Sequence, residues 1–176
     1  GVGLGGRCPV QRHRASVPAD LASPSGAAYL RPVHCEQLVI AGDAHLGRGS
    51  EQAEEAFLAF LDQVPALGDG LLITGDLFEF WFTWGRTTPR RGARVAAALG
   101  ALRHRVPILF AGGNHDRWGG TYWESELGIE FVPGEGRLTV GSVAGLVHHG
   151  DGLNDAHWSG RALNRITRHP LTIAAF

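Results

Sequence analysis

The 176-residue chain contains no lysine and no methionine, only two cysteines, and a formal net charge of −1. All 16 basic residues are arginine, and glycine and proline are plentiful at 26 and 9, which reads as a GC-rich coding bias rather than as chemistry. The missing methionine leaves no native start in view. Together with the closing apolar run "PLTIAAF", it reads as the mark of a fragment at both ends. Cys8 and Cys35 are too few and too isolated for a disulfide framework or a cysteine metal site, which fits a reduced, cytoplasmic compartment. No apolar run approaches the ~20 residues that span a bilayer, and no secretory hydrophobic segment is visible. Near-neutral charge and the absence of a basic stretch in the folded region give no reason to expect a specific nucleic-acid partner.

What the chain does have is enough apolar residue, 44%, for one sizeable core and hence one domain. Residues 1–35 hold four prolines, five glycines and four arginines against one acid, with no helical or strand period, and are expected to be a disordered or mis-assigned leader. The opening "GVGLGG" matches a dinucleotide fingerprint only formally, because no strand precedes it and Pro9 interrupts the helix that should follow. The folded domain is expected over 36–176. There "QLVIAG" (37–42), "GLLITG" (70–75), "PILFAG" (107–112) and "GLVHHG" (145–150) read as strands closed by glycine. Ser50 is placed to cap a helix with Ala53, Phe57, Phe60, Leu61 and Val64 on one stripe. Thr88 and Pro89 are placed to start another, with Val95, Leu99 and Leu102 inward. Alternating strand and helix predicts a parallel sheet with right-handed crossovers, and "RLTV" and "AGLVHH" flank Gly141-Ser142 as a hairpin.

Each strand ends in residues that bind metals: Asp43-Ala44-His45, Gly75-Asp76, Gly113-Asn114-His115-Asp116 and His149-Gly150-Asp151. In an open α/β sheet the carboxyl ends of parallel strands line one crevice, so residues far apart in sequence converge there. Carboxylate, amide oxygen and imidazole suit a pair of divalent cations, which need a bridging oxygen ligand. Asp76 is the natural bridge, with Asp43 and His45 on one ion and Asn114 and His149 on the other. Two such ions would acidify a shared water and neutralise phosphoryl oxygens. His115, with Asp116 beside it, is placed to protonate a leaving oxygen or stabilise its charge. Any one of these motifs alone is more often a turn or a surface side chain; four at successive strand ends are not. Asp151 and His148 are left as a turn carboxylate and an outward strand residue.

The ordered set "GDAHLG", "GDLFEFW", "GGNHD" and "HHGD" resembles the calcineurin-like metallophosphoesterase superfamily over about residues 38–168. The resemblance implies an αββα sandwich and a dinuclear site, with manganese first and iron or zinc as alternatives. Asp43, His45, Asp76, Asn114 and His149 are its implied ligands and His115 its catalytic histidine. The sequence has no Gly-His-x-His, the superfamily's last motif, which supplies one ligand to each metal. The resemblance therefore implies a C-terminally truncated portion of the sandwich and an incomplete ligand set.

Five of the fifteen aromatic residues, Phe78, Phe80, Trp81, Phe82 and Trp84, fall within the seven residues 78–84, just after Asp76. About half of these are expected at a core edge, the rest as an apolar wall beside the metals. Asp155 is placed to cap a helix with Trp158, Ala162, Leu163 and Ile166 inside and Arg161, Arg165 and Arg168 outside, a face suited to phosphate or an anionic membrane surface. Both features are similar to the bacterial UDP-2,3-diacylglucosamine diphosphatases of lipid A synthesis. That resemblance implies cleavage of a UDP-linked lipid to UMP and 2,3-diacylglucosamine 1-phosphate on the cytoplasmic membrane face. Asn114, Phe80, Trp81, Arg161 and Arg165 are then the residues expected at substrate. In one respect the chain departs, since His115 stands where the best-known members carry arginine. Two alternatives stay open: the same chemistry on a nucleotide, phosphoprotein or nucleic acid, and a non-catalytic module holding a partial site.

Overall fold

The computed structural model describes Ala28–Tyr29, residues 35–84 and 87–150, and a few positions between 162 and 172. In chain order its elements are β1 (Ala28–Tyr29), β2 (Leu38–Ala41), α1 (Glu51–Leu67), β3 (Gly70–Ile73), α2 (Ala93–Leu102), β4 (Ile108–Ala111), α3 (Tyr122–Ser125), β5 (Glu130–Val132), β6 (Gly136–Val140) and β7 (Val143–Val147).

Strands β2 to β5 form one sheet in sequence order, parallel throughout, with Ile73 level with Ala41 on one side and Phe110 on the other. Every residue of β3 ("GLLI") and β4 ("ILFA") is buried. A run that is apolar on both faces needs a layer on each side of the sheet, and the chain supplies both. Helices α1 and α2 cover one face, where Leu61, Val64, Val95, Leu99 and Leu102 pack with Leu71, Ile73, Ile108 and Phe110. On the other face Leu72, Leu109, Ala111 and Val132 meet Leu138 and Val147 of a second sheet, ordered β1-β6-β7. Helix, sheet, sheet is three layers of the expected αββα sandwich, and each fully buried Leu, Ile or Phe contributes roughly 1.5–3 kcal/mol to holding them together.

Helix α1 begins after Ser50 as the sequence suggests, with Glu51 and Glu54 in its positive first turn, although the Ser50 hydroxyl makes no capping bond. Pro65 lies in its last turn and removes the amide that would bond to Leu61, and the helix stops two residues later. Helix α2 starts at Ala93 rather than near Thr88-Pro89. Its N-cap is Gly92, at φ 79°, where a Cβ would come 2.5 Å from the Phe78 ring. Packing against Phe78, not the capping preference of threonine, sets this boundary.

Three further differences come from short elements. β5 and the single turn α3 have too few residues to show a period. The fourth glycine-closed run, expected beside the others, instead forms β7 of the second sheet, antiparallel to β6 through the anticipated Gly141-Ser142 turn. Within the leader expected to lack structure, Ala28–Tyr29 pairs in parallel with β6, and Cys35 is buried between the sheets.

Candidate metal centre

Beyond the carboxyl ends of β2 and β3 the two chains run on side by side. Asp43 N–H donates to the Gly75 carbonyl at 2.8 Å, His45 N–H to Asp76 at 3.0 Å, and Leu46 N–H to Leu77 at 2.9 Å. Asp43, His45 and Asp76 are the three non-glycine residues with positive φ among the described residues, at 55°, 45° and 47°. For an L-residue that conformation costs on the order of 1–2 kcal/mol. It turns the three side chains toward the same point above the sheet. Strand β4 ends close by, and its Gly113 is so near that a Cβ there would lie 2.0 Å from Asp76 Oδ1. The same oxygen accepts the His115 N–H at 2.9 Å.

Asp76 is the hub. Its side chain is only 4% exposed, and its Oδ2 lies 3.0 Å from His149 Nε2, 3.8 Å from His45 Nε2 and 4.0 Å from His115 Nε2. Two donor groups converge, His45 with Asp76 and His115, and Asp43 with Asp76 and His149, the ligand atoms of each lying within 4.8 Å of one another. Both contain Asp76, which is the place a bridging carboxylate must occupy. His149 arrives from the second sheet, just past β7, so the convergence expected from four parallel strands is achieved by three and a hairpin. Asn114 sits half-buried on the same β4 loop, between Gly113 and His115.

The three imidazoles share one orientation. Nδ1 of His149 faces the Thr74 carbonyl at 3.1 Å, Nδ1 of His45 faces Glu79 Oε2 at 2.9 Å, and Nδ1 of His115 faces the Glu79 backbone carbonyl. Each ring thus has an acceptor behind Nδ1 and turns its Nε2 to the centre. A buried carboxylate with imidazole Nε2 atoms facing it is a donor set that suits divalent cations, so the chemistry of these residues fits the implied metals.

Asp116 differs from its expected place beside the reacting group. It is fully buried, and its carboxylate accepts backbone N–H bonds from Gly113 (2.7 Å), Leu77 (2.7 Å), Asp76 (3.3 Å) and Phe78 (3.3 Å). Burial pushes its carboxyl up to about 6, against the pull of those amides. Its position is that of a clamp between the β3 and β4 loops. Trp81, expected at substrate, is fully buried and packs against Phe78, Tyr122 and Trp123. Phe80 alternates outward, 51% exposed, with its ring 5.3 Å from Phe82 and 5.4 Å from Trp118. His148 turns from the centre and accepts the Gly150 N–H at 2.7 Å. Arg165 is exposed, while Arg161, Asp151, Asp155, Trp158, Leu163 and Arg168 lie outside the described residues. Glu79 is the residue that sequence reading passes over, because an acid among aromatics carries no spacing signal of its own.

Against known proteins, 137 residues are 36% identical to a UDP-2,3-diacylglucosamine hydrolase of Xanthomonas axonopodis pv. citri, covering 76% of this chain and 54% of that protein. The hydrolase of the same name from Serratia proteamaculans is 34% identical over 130 residues, 73% of this chain and 54% of the relative. That from a Shewanella species is 33% identical over 112 residues, 64% and 46% respectively. Over these stretches the chain is similar to UDP-2,3-diacylglucosamine hydrolases. It spans about half the length of these relatives. No family model matches it. The mixed α/β architecture with a parallel sheet is in keeping with a calcineurin-like phosphoesterase fold, and no helix among the described residues is long and apolar enough to cross a membrane.

Proposed function

We propose that residues 36–176 form part of a metal-dependent hydrolase that cleaves the pyrophosphate of UDP-2,3-diacylglucosamine, giving UMP and 2,3-diacylglucosamine 1-phosphate. The observation that carries this reading is the placement of one buried carboxylate, Asp76, in two converging donor groups. Asp43, His45, Asp76, Asn114 and His149 would hold two divalent cations, manganese before iron or zinc. Such ions supply Lewis-acid activation of water and neutralise phosphoryl charge when bound.

The chain's own residues then divide the work. His115 presents Nε2 to the centre, and as imidazolium it would donate that proton to the oxygen leaving phosphorus. Asp116 holds the β3 and β4 loops at the spacing the donors need, acting through the backbone rather than on substrate. Phe80, exposed, with the half-buried rings of Phe82 and Trp118 against it, forms an apolar patch beside the centre, a surface for the acyl part of the substrate. Arg161 and Arg165 remain assigned to phosphate or to the cytoplasmic membrane surface, where an enzyme on a lipid substrate would work peripherally.

The test is to incubate the purified chain with Mn²⁺ and UDP-2,3-diacylglucosamine and measure UMP by chromatography. Metal-dependent release of UMP together with the lipid phosphate supports the reading. Hydrolysis of an aryl phosphodiester without UMP release would move the substrate elsewhere in the superfamily. Uptake of Mn²⁺ with no hydrolysis of either ester would leave a metal-binding module.

A further inference from the structure

We infer that Glu79 is a double positioning residue, which holds the Nδ1 edge of both His45 and His115 and thereby aims both Nε2 atoms at the centre. The inference rests on the metal-site reading above but not on the identity of the substrate.

Two different groups of this one residue do the holding. The carboxylate Oε2 takes His45 Nδ1 at 2.9 Å, and the backbone carbonyl takes His115 Nδ1. The two rings meet edge to face with centroids 4.8 Å apart. On the opposite edges, His45 Nε2 lies 3.1 Å from Asp43 Oδ1 and 3.8 Å from Asp76 Oδ2, and His115 Nε2 lies 4.0 Å from Asp76 Oδ2. Glu79 thus stands behind the histidines, on the side away from the shared carboxylate, and it belongs to neither donor group.

The backbone of Glu79 is itself fixed from both sides. Its N–H donates to the Leu46 carbonyl at 2.9 Å, in the His45 loop, and the Trp81 N–H donates to the His115 carbonyl at 2.9 Å. Phe78 and Trp81, on either side, are 1% and 0% exposed and anchor the segment in the core. Burial of these aromatics therefore has a consequence at the metal site: it sets where the Glu79 carbonyl and carboxylate stand. Arg48, 71% exposed, reaches within 3.9 Å of the same Oε2 and adds a weak cationic neighbour on the solvent side.

The two contacts separate experimentally because only one uses the side chain. In metal-free protein labelled with ¹⁵N at histidine, Glu79→Ala is expected to shift the Nδ1 resonance of His45 while leaving that of His115 in place, and to weaken Mn²⁺ binding by calorimetry roughly 10- to 100-fold. Glu79→Gln keeps an oxygen that accepts an Nδ1 proton, so it is expected to restore the His45 resonance and most of the affinity. A Glu79→Ala protein with its His45 Nδ1 resonance unchanged, or Glu79→Gln no better than Glu79→Ala on both readouts, would overturn the proposal. The resonance measurement needs neither metal nor turnover, so it decides the point even if the wild-type chain hydrolyses nothing.

Discussion

At Gly113 one hydrogen atom separates the turn after β4 from the Asp76 carboxylate. A methyl group there would lie 2.0 Å from Oδ1 and 2.6 Å from the Asp76 backbone nitrogen, with no flexible end to move aside. Gly113→Ala is therefore expected to cost about 1–3 kcal/mol of stability. It should also displace the one side chain common to both donor groups. Calorimetric titration with Mn²⁺ should show both binding events weakened together; loss of only one would mean that Asp76 is not shared. The sequence displays Gly113 as one of several glycines in "AGGNHD" and shows Asp76 as a strand-end acid. It does not show that the two touch. Nor does it separate Asp116 from the residues around it: the same four letters suggest a carboxylate beside a catalytic histidine, whereas four backbone amides take that carboxylate instead.

Among the elements, β2, β3 and β4 are legible because each is a short apolar run closed by glycine, and their order follows from the helices between them. Boundaries set by tertiary contact are not legible: α2 begins where Gly92 meets Phe78, and β5 is three residues long. Another contact of that kind ties α1 and β3 to the start of β2. The Asp69 carboxylate accepts the Glu36 N–H at 3.0 Å and the Gln37 N–H at 2.8 Å, and these bonds, Gln37 first, hold its pKa below the ordinary 3.8. A depressed carboxyl stabilises the fold while it is ionised, so its contribution is present above pH 3.8 and is lost as the pH falls through the lowered value. Asp69→Asn should accordingly lower the melting temperature at neutral pH and flatten its fall on acidification from about pH 5 to pH 3. Equal slopes in variant and wild type would show that the charge of Asp69 contributes nothing.

Over the whole molecule the aromatic stretch after Asp76 is divided between two tasks. Trp81 faces inward and Phe80 outward, and the composition that makes this stretch conspicuous in the sequence cannot say which residue goes which way. Trp81→Ala is expected to cost about 3–5 kcal/mol. Phe80→Ser should leave the melting temperature nearly unchanged, depress UMP release from the diacyl substrate, and spare hydrolysis of a small aryl phosphodiester. Equal loss on both substrates would remove Phe80 from the acyl surface. The centre itself also depends on the assembled layers. His149 and the Thr74 carbonyl that orients it are 75 residues apart and come from different sheets, so Asp76 and His149 meet only once β7 has docked on the parallel sheet. The strand read from sequence as half of a hairpin is one, and it delivers its histidine from the second sheet rather than from beside the other three.

The three left-handed residues at the strand ends have a bearing on descent. Asp43, His45 and Asp76 occupy backbone conformations that glycine would fill more comfortably. Random substitution under selection for stability alone would remove these side chains early, because exchange for glycine relieves the strain. A lineage in which the centre fell idle should lose them ahead of any core residue. All three stand here at conformational expense.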